Sequence, residues 1–312
     1  MKVLVTGCAG FIGSSIARKH IGLGDAVIGA DCFTTYYDLQ QKRSNLCDIV
    51  EKFDYFHDRD LLLTDLDALL SDVDVVYHQA GQPGVRKSWG ADFEEYTANN
   101  VRLTQMLLEA AKRSTRLSRF VYASSSSVYG DSESYPTDEG MLPRPMSPYG
   151  VTKLAAEHLA TLYAKNYGVP TVSLRYFTVY GPRQRPDMAF HRFIRAHLNG
   201  EELQVYGDGT QIRDFTFVDD VVEANIAAAN SNCVPGTVIN VAGGSSVSVN
   251  RILELIGEIS GRAPRISNVD KIAGDVYRTG GSIERAQKTL GWTPRVSIED
   301  GLRLEFDWLK NL

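Results

Sequence analysis

The chain has 312 residues, enough for one large domain or two smaller ones. Hydrophobic residues make up 43% and charged residues 23%, the balance of an ordinary globular protein. A net charge of −5 argues against a nucleic-acid-binding surface, and no apolar run is long enough for a membrane span. Cys8, Cys32, Cys47 and Cys233 have no Cys-x-x-Cys spacing, so neither a zinc site nor a disulfide frame is expected. Met1-Lys2-Val3 enters a strand at once without a signal-peptide layout, which makes the cytoplasm the expected location.

Lys2 to Thr6 is a short β-branched run of the kind found in buried parallel strands. Gly7-Cys8-Ala9-Gly10-Phe11-Ile12-Gly13 follows, then a helix expected over Ser14 to Leu23. Strand, glycine-rich turn and helix open a dinucleotide-binding unit. The turn lets the backbone approach a pyrophosphate and aims helix N-terminal N–H groups at it, which nominates Gly7, Gly10, Phe11, Ile12 and Gly13. A second strand, Ala26 to Ala30, ends at Asp31. A carboxylate there suits the two hydroxyls of an adenosine ribose and repels a 2′-phosphate, favouring NAD over NADP. The alternative is an Asp that caps the next turn.

The third strand is read over Phe53 to Phe56, with Asp60 and Leu61 beyond it placed toward the adenine. Asp74 to His78 is the fourth, running into Gln79-Ala80-Gly81-Gln82-Pro83-Gly84 at the carboxyl end of the sheet, where ligands of open α/β folds bind. Arg86 either reaches a phosphate or is solvated. Glu94 to Lys112 reads as a long amphipathic helix carrying Asn100. The fifth strand, Arg119 to Ala123, feeds Ser124, Ser125, Ser126 and Ser127, then Val128-Tyr129-Gly130. This run is read as an ordered strand end lined with hydroxyls rather than as a linker.

Ser147-Pro148 is a helix start, and Tyr149 and Lys153 then share one helix face. A phenol titrates near pH ~10 in water, and a neighbouring cation lowers that by roughly 1–3 units, so the pair is suited to accept a proton near neutral pH. The same spacing is common on solvated helices, so the pair takes its weight from the other motifs. A sixth strand, Thr171 to Arg175, leads through Tyr176 into a loop punctuated by Gly and Pro up to Pro186. A helix over Phe190 to Leu198 and a strand over Leu203 to Tyr206 follow. Asp214 to Asp220 leads a helix over Val221 to Asn230, and Thr237 to Val241 returns to the main sheet. Helices around Arg251–Ser260 and Ile283–Leu290 belong to a small C-terminal region. The expected fold is α/β: a Rossmann-type doubly wound parallel sheet with a smaller mixed α/β C-terminal substrate domain. Residues 1–180, with about 214–242 returning to them, make the NAD-binding domain, and the rest of 181–312 the substrate domain.

Gly7-x-x-Gly10-x-x-Gly13, Asp31, the hydroxyl run before Val128-Tyr129-Gly130, and Tyr149-x-x-x-Lys153 occur in this order along the chain. Together they resemble the extended short-chain dehydrogenase/reductase family, the group of nucleotide-sugar epimerases, dehydratases and decarboxylases. The resemblance implies a tightly bound NAD and a nucleoside-diphosphate sugar held by the smaller domain. It places the catalytic hydroxyl on Ser125, the base on Tyr149 and the lysine on Lys153. Gln79, Ala80, Gly81, Asn100, Ala123, Ser124 and Tyr176 join Tyr149 and Lys153 in the expected NAD site. Gln204-Val205-Tyr206 is similar to the segment that meets the nucleotide base, Arg213 to a pyrophosphate-binding arginine, and Asp275 to a residue near the uridine ribose. An arginine that relatives place just before that Asp is absent, where Lys271-Ile272 stands, and Arg278 is the substitute. Relatives pair through their two long helices, so a homodimer is implied.

Dehydratases of the group follow the catalytic hydroxyl with Asp-Glu, and decarboxylases carry Glu before Val-Tyr-Gly. Here Ser126 and Ser127 stand there, so elimination lacks a proton donor and 4-epimerisation is expected. Tyr149 would take the proton of the C4 hydroxyl as C4 gives hydride to NAD, and the flat 4-keto sugar would turn over before the hydride returns. The loop from Tyr176 to Phe190 and the segment Asp31 to Asp38 resemble those of UDP-glucuronate 4-epimerases, whereas many UDP-galactose 4-epimerases carry Asn where Thr178 stands. Ser126, Ser127 and Thr178 would line the pocket for a carboxylate at C5. Arg192 is assigned to that carboxylate and Arg185 to the phosphates. UDP-glucuronate to UDP-galacturonate is thus the expected conversion. UDP-glucose 4-epimerisation, UDP-glucuronate decarboxylation and an inactive NAD-binding regulator are the rivals.

Overall fold

The computed structural model describes residues 1–132, 134–244, 246–270 and 278–312. The elements run in chain order as β1 (Lys2–Thr6), α1 (Phe11–Gly22), β2 (Ala26–Ala30), α2 (Leu39–Leu46), β3 (Tyr55–His57), α3 (Leu66–Leu70) and β4 (Val75–His78). They continue as α4 (Phe93–Tyr96), α5 (Leu103–Arg113), β5 (Arg119–Ser125), α6 (Pro148–Tyr167), β6 (Thr171–Tyr176) and β7 (Thr178–Tyr180). The last are α7 (Ala189–Asn199), β8 (Leu203–Tyr206), β9 (Ile212–Phe217), α8 (Val218–Asn230), β10 (Thr237–Val241), β11 (Ser246–Ser248), α9 (Val249–Ser260), β12 (Ile266–Val269), α10 (Glu284–Leu290) and α11 (Ile298–Lys310).

Among the described residues, seven parallel strands form the central sheet in the order β10-β6-β5-β4-β1-β2-β3. Chain order reverses between β1 and β4, which places a crevice at their carboxyl ends. Side chains alternate across the sheet. Val3, Val5, Val75 and Tyr77 join one core with α1 and α8, while Leu4, Val76, Phe120 and Tyr122 join another with α3, α5 and α6. The first of these cores runs on without interruption into the C-terminal region through Phe190, Ile194, Ile256, Leu302 and Phe306.

Several elements depart from the sequence reading. The expected helix over Glu94 to Lys112 contains a π-helical turn, Thr97–Arg102, between α4 and α5. β9 and α11 lie where no strand and no helix were expected. Ile212-Arg213-Asp214 begins β9, which pairs parallel with β7 and antiparallel with β11 in a three-stranded sheet. β9 thus lies outside the central sheet, which the chain rejoins at β10. In α11, Gly301 and a run of charges hide an apolar stripe of Ile298, Leu302, Phe306 and Leu309. The helix needs that glycine, because a Cβ there would lie 2.3 Å from the Tyr180 hydroxyl.

Candidate active site

A cavity opens at the crevice between β1 and β4. Its floor is the glycine turn. Gly7 has φ +69°, and a Cβ on it would lie 2.7 Å from Ala80 N. A Cβ on Gly13 would lie 2.1 Å from the Gly7 carbonyl oxygen, so the first turn of α1 rests directly on the turn. The N-cap of α1 is Gly10, which offers no side-chain acceptor, and the first turn holds no acid. Its N–H groups thus face the cavity without a protein anion, as a bound pyrophosphate requires. Asp31 closes β2, with its two oxygens accepting from Ala9 N at 3.0 Å and Phe33 N at 2.8 Å. Asp60 accepts from Leu62 N at 2.9 Å, beside Leu61.

The π-turn explains Asn100. Its side chain is 1% exposed, exchanges hydrogen bonds with the Gln82 backbone and donates to Thr152 Oγ1 at 3.0 Å. One amide thus ties the loop after β4 to α6, and a Cβ on Gly81 would lie 2.8 Å from it. Tyr176 donates to Asn225 Oδ1 at 2.9 Å, and Gln79 Nε2 donates to the Tyr176 hydroxyl at 3.1 Å.

Helix α6 presents Tyr149 and Lys153. Ser147 caps it by accepting from Gly150 N at 3.1 Å, Pro148 occupies its first turn, and Gly168 ends it in the left-handed conformation. A Cβ on Gly150 would lie 2.6 Å from the Ser127 carbonyl oxygen, so the serine turn packs on the start of α6. Ser124 and Ser125 belong to β5, and Ser126, Ser127 and Val128 form one 3-10 turn in which Ser125 Oγ accepts from Ser127 N at 3.1 Å.

Burial raises the Tyr149 phenol, and the Ser125 hydroxyl and then the Arg185 cation pull it back. Burial lowers Lys153 to about 7, opposed by Glu157. The phenol is thus raised in this structure rather than lowered. The lysine ammonium is directed over the Tyr122 ring, 4.6 Å from its centroid.

Gly7, Gly10, Phe11, Ile12, Gly13, Asp31, Asp60, Leu61, Gln79, Ala80, Gly81, Asn100, Ala123, Ser124, Tyr149, Lys153 and Tyr176 all line this one cavity, together with Arg185. Tyr36, Tyr37 and Gln82, from segments the sequence pointed to without assigning these residues a role, also line it, as do Lys42 and Asn99, which sequence reasoning missed. Lys42 is 5% exposed and donates to the Thr34 carbonyl at 2.7 Å. The available signal was position: the segment leaves the carboxyl end of β2, where the crevice opens.

Tyr149 and Arg185 excepted, the expected substrate-side residues, Ser125, Ser126 and Ser127 included, are not among those that line the cavity. Arg185 makes a two-point ion pair with Asp187, at 2.9 Å for each bond. Arg192 instead lies 6.0 Å from the centroid of the Tyr206 ring, which Arg86 approaches at 4.7 Å. Gln204 is exposed on β8, and Val205 is buried in the core, so only its backbone can meet a ligand. Thr178 is half-buried at the start of β7. Arg213 on β9 donates to its neighbour's carbonyl, and Arg278 lies over the Tyr135 ring while bridging to Ile212. Asp275 lies outside the described residues.

Residues 3–242 match the model of the NAD dependent epimerase/dehydratase family. The chain belongs to that family. NAD is the family's cofactor, and the glycine cradle, the uncapped helix start and Asp31 fit it. The fold matches the crystal structure of UDP-glucuronic acid 4-epimerase from Bacillus cereus in complex with UDP-glucuronic acid and NAD. That match has a TM-score of 0.95 and 45% identity over 100% of this chain and 99% of the other. A UDP-glucuronate 4-epimerase of Thermodesulfobacterium geofontis is 35% identical over 98% of this chain and 95% of its own length. An uncharacterized UDP-glucose epimerase of Bacillus subtilis is 43% identical over 100% and 99%. No helix among the described residues is long and apolar enough to cross a membrane.

Proposed function

We propose that this family member is a UDP-glucuronate 4-epimerase, producing UDP-galacturonate. The observation that carries the reading is the position of Arg185: it lines the cavity of Tyr149, close enough to act on the phenol's charge, while Ser126 and Ser127 supply no acid. Asp187 occupies Arg185 Nε and Nη2, which leaves donors on Nη1 for a substrate carboxylate. The reading therefore exchanges the two arginines: Arg185 goes to the carboxylate, with Ser126, Ser127 and Thr178 beside it. Arg192 and Arg86, flanking Tyr206, go to the nucleotide end. The names of the Bacillus cereus and Thermodesulfobacterium relatives support it.

Bound NAD supplies reversible hydride transfer at C4. Tyr149 takes the C4 hydroxyl proton and returns it after the sugar has turned over. Ser125 hydrogen-bonds the phenol and favours its ionised form. Lys153 adds positive charge at the same corner. A 4-keto uronate is a β-keto acid that readily loses carbon dioxide. Arg185 and the hydroxyls would hold the carboxylate away from alignment with the ketone, in a site with no general acid at position 127. Residues 1–180 with the return near 214–242 would carry NAD and the remainder the sugar nucleotide. The protein would act in the cytoplasm, consistent with four free cysteines. A homodimer is proposed through α5 and α6, where Val151 and Leu162 are exposed three turns apart, and sedimentation would measure it.

The B. subtilis relative's name favours a second reading, UDP-glucose 4-epimerisation. Steady-state rates on both sugar nucleotides separate the two. A site built to pair a carboxylate should favour UDP-glucuronate by about 100-fold or more in kcat/KM, and Arg185→Met should erase most of that preference. Equal rates on the two substrates would contradict the proposal.

A further inference from the structure

A buried carboxylate lies one helical turn beyond Lys153. Glu157 is 2% exposed. Its Oε2 accepts from the Ser124 hydroxyl at 2.6 Å and from Arg175 Nε at 2.9 Å, and its Oε1 accepts from Arg175 Nη2 at 2.6 Å. Three segments that build the catalytic corner thus meet on one side chain. They are α6, which carries Tyr149 and Lys153, the end of β5, where Ser124 precedes Ser125, and β6, where Arg175 precedes Tyr176. Glu157 and Arg175 do not line the cavity of Tyr149. They line a second one, with His158, Thr161, Val238 and Arg285. A buried ion pair is often replaceable by apolar side chains at no loss of stability, so stability alone is a weak account of this one.

We propose that Glu157 is a positioning residue for the epimerisation, keeping Lys153 cationic and fixing Ser125 against Tyr149 through Ser124. The inference rests on the epimerase reading above. The groups facing Lys153 can be named from each packed element. Helix α6 contributes Tyr149 and Glu157. Strand β5 contributes the Tyr122 ring, and β4 contributes His78, held neutral by burial between Thr6 and Thr104. On β6, Arg175 is bonded to Glu157, while the uncharged Asn100 of the π-turn and Thr104 of α5 bond Thr152 and His78 beside the lysine. Glu157 is the anion of the set, and it acts on Lys153 against the pull of burial. Burial places the lysine near its titration midpoint at neutral pH, so loss of this anion changes its charge state.

The test uses the NAD-loaded enzyme and the pH dependence of kcat with UDP-glucuronate. The double variant Glu157→Gln, Arg175→Met removes both buried charges, so no cation is left unpaired. The alkaline fall in kcat should move to lower pH by about one unit or more, with KM for the nucleotide sugar unchanged. A merely structural ion pair would change kcat equally at every pH. An alkaline limb that stays in place in the folded, NAD-loaded variant overturns the proposal. If the double variant does not fold, Glu157→Asp replaces it: withdrawing the carboxylate by one methylene should move the limb the same way, and an unmoved limb again overturns it. The parent enzyme separates this claim from the functional one. A parent inactive on UDP-glucuronate counts against the functional reading, whereas an active parent with an unmoved limb in the variant counts against Glu157.

Discussion

Burial pushes both members of the Tyr149–Lys153 pair toward neutrality, the phenol upward and the ammonium down to about 7. The lysine therefore costs stability in return for its charge at the site. Its folded pKa lies below the unfolded value of ~10.4, so the cost is full below about pH 7 and shrinks as pH rises toward the unfolded value. Lys153→Met should lose about 100-fold or more of activity yet melt at a higher temperature than the parent at pH 6, with the gap narrowing above pH 7. Thermal melts at several pH values check this. That the glycine turn, Asp31 and the start of α6 share one cavity was legible in the sequence, because a glycine turn, a strand-end Asp and a helix start act through local backbone. The arginines were not. Arg185 and Arg192 are seven positions apart with long side chains, and only the placement of the loop before α7 decides that one meets Tyr149 and the other Tyr206. Lys42 was missed for a similar reason, since nothing in its spacing shows which way the segment after β2 folds.

Among the elements, α1 and the turn beneath it leave the least freedom. A methyl group on Gly13 would sit 2.1 Å from the Gly7 carbonyl, against backbone that cannot yield locally. Gly13→Ala should displace the start of α1, cost about 1–3 kcal/mol and weaken NAD retention. Denaturant melts and the NAD content of purified protein would show both. The π-turn at Thr97–Arg102 was invisible as such, because its residues continue an amphipathic helical pattern; only the buried amide of Asn100, bonded to Gln82 and Thr152, reveals why the helix widens there. The strand β9 was hidden in the opposite way. Arg213 and Asp214 interrupt its apolar alternation, yet Asp214 is buried and accepts from Gly243 N at 2.7 Å.

Across the whole molecule, the C-terminal helix supports the loop that carries Arg185. Glu305 of α11 is fully buried and accepts from Gly181 N at 2.7 Å, while Tyr180 donates to the Ser297 carbonyl at 3.2 Å. Burial pushes the Glu305 carboxyl well above the usual range. A carboxyl raised in the folded state favours the fold when protonated, so its contribution falls as pH rises above the unfolded value of ~4.3. Glu305→Gln keeps the acceptor for Gly181 and removes that titration. Its melting temperature should therefore exceed the parent's by more at pH 7 than at pH 5. Glu305→Ala, which strands the Gly181 N–H, should cost about 1–3 kcal/mol at either pH. One core likewise runs from α1 and α8 into α7, α9 and α11.

The central claim is that C4 of a uronate sugar is oxidised and then reduced on its opposite face without loss of the carboxylate. UDP-glucuronate carrying deuterium at C4 tests it most directly, with the product examined by NMR and mass spectrometry. The account predicts UDP-galacturonate that keeps the label at C4 and all six sugar carbons. Label lost to solvent, or a pentose product released with carbon dioxide, would contradict it.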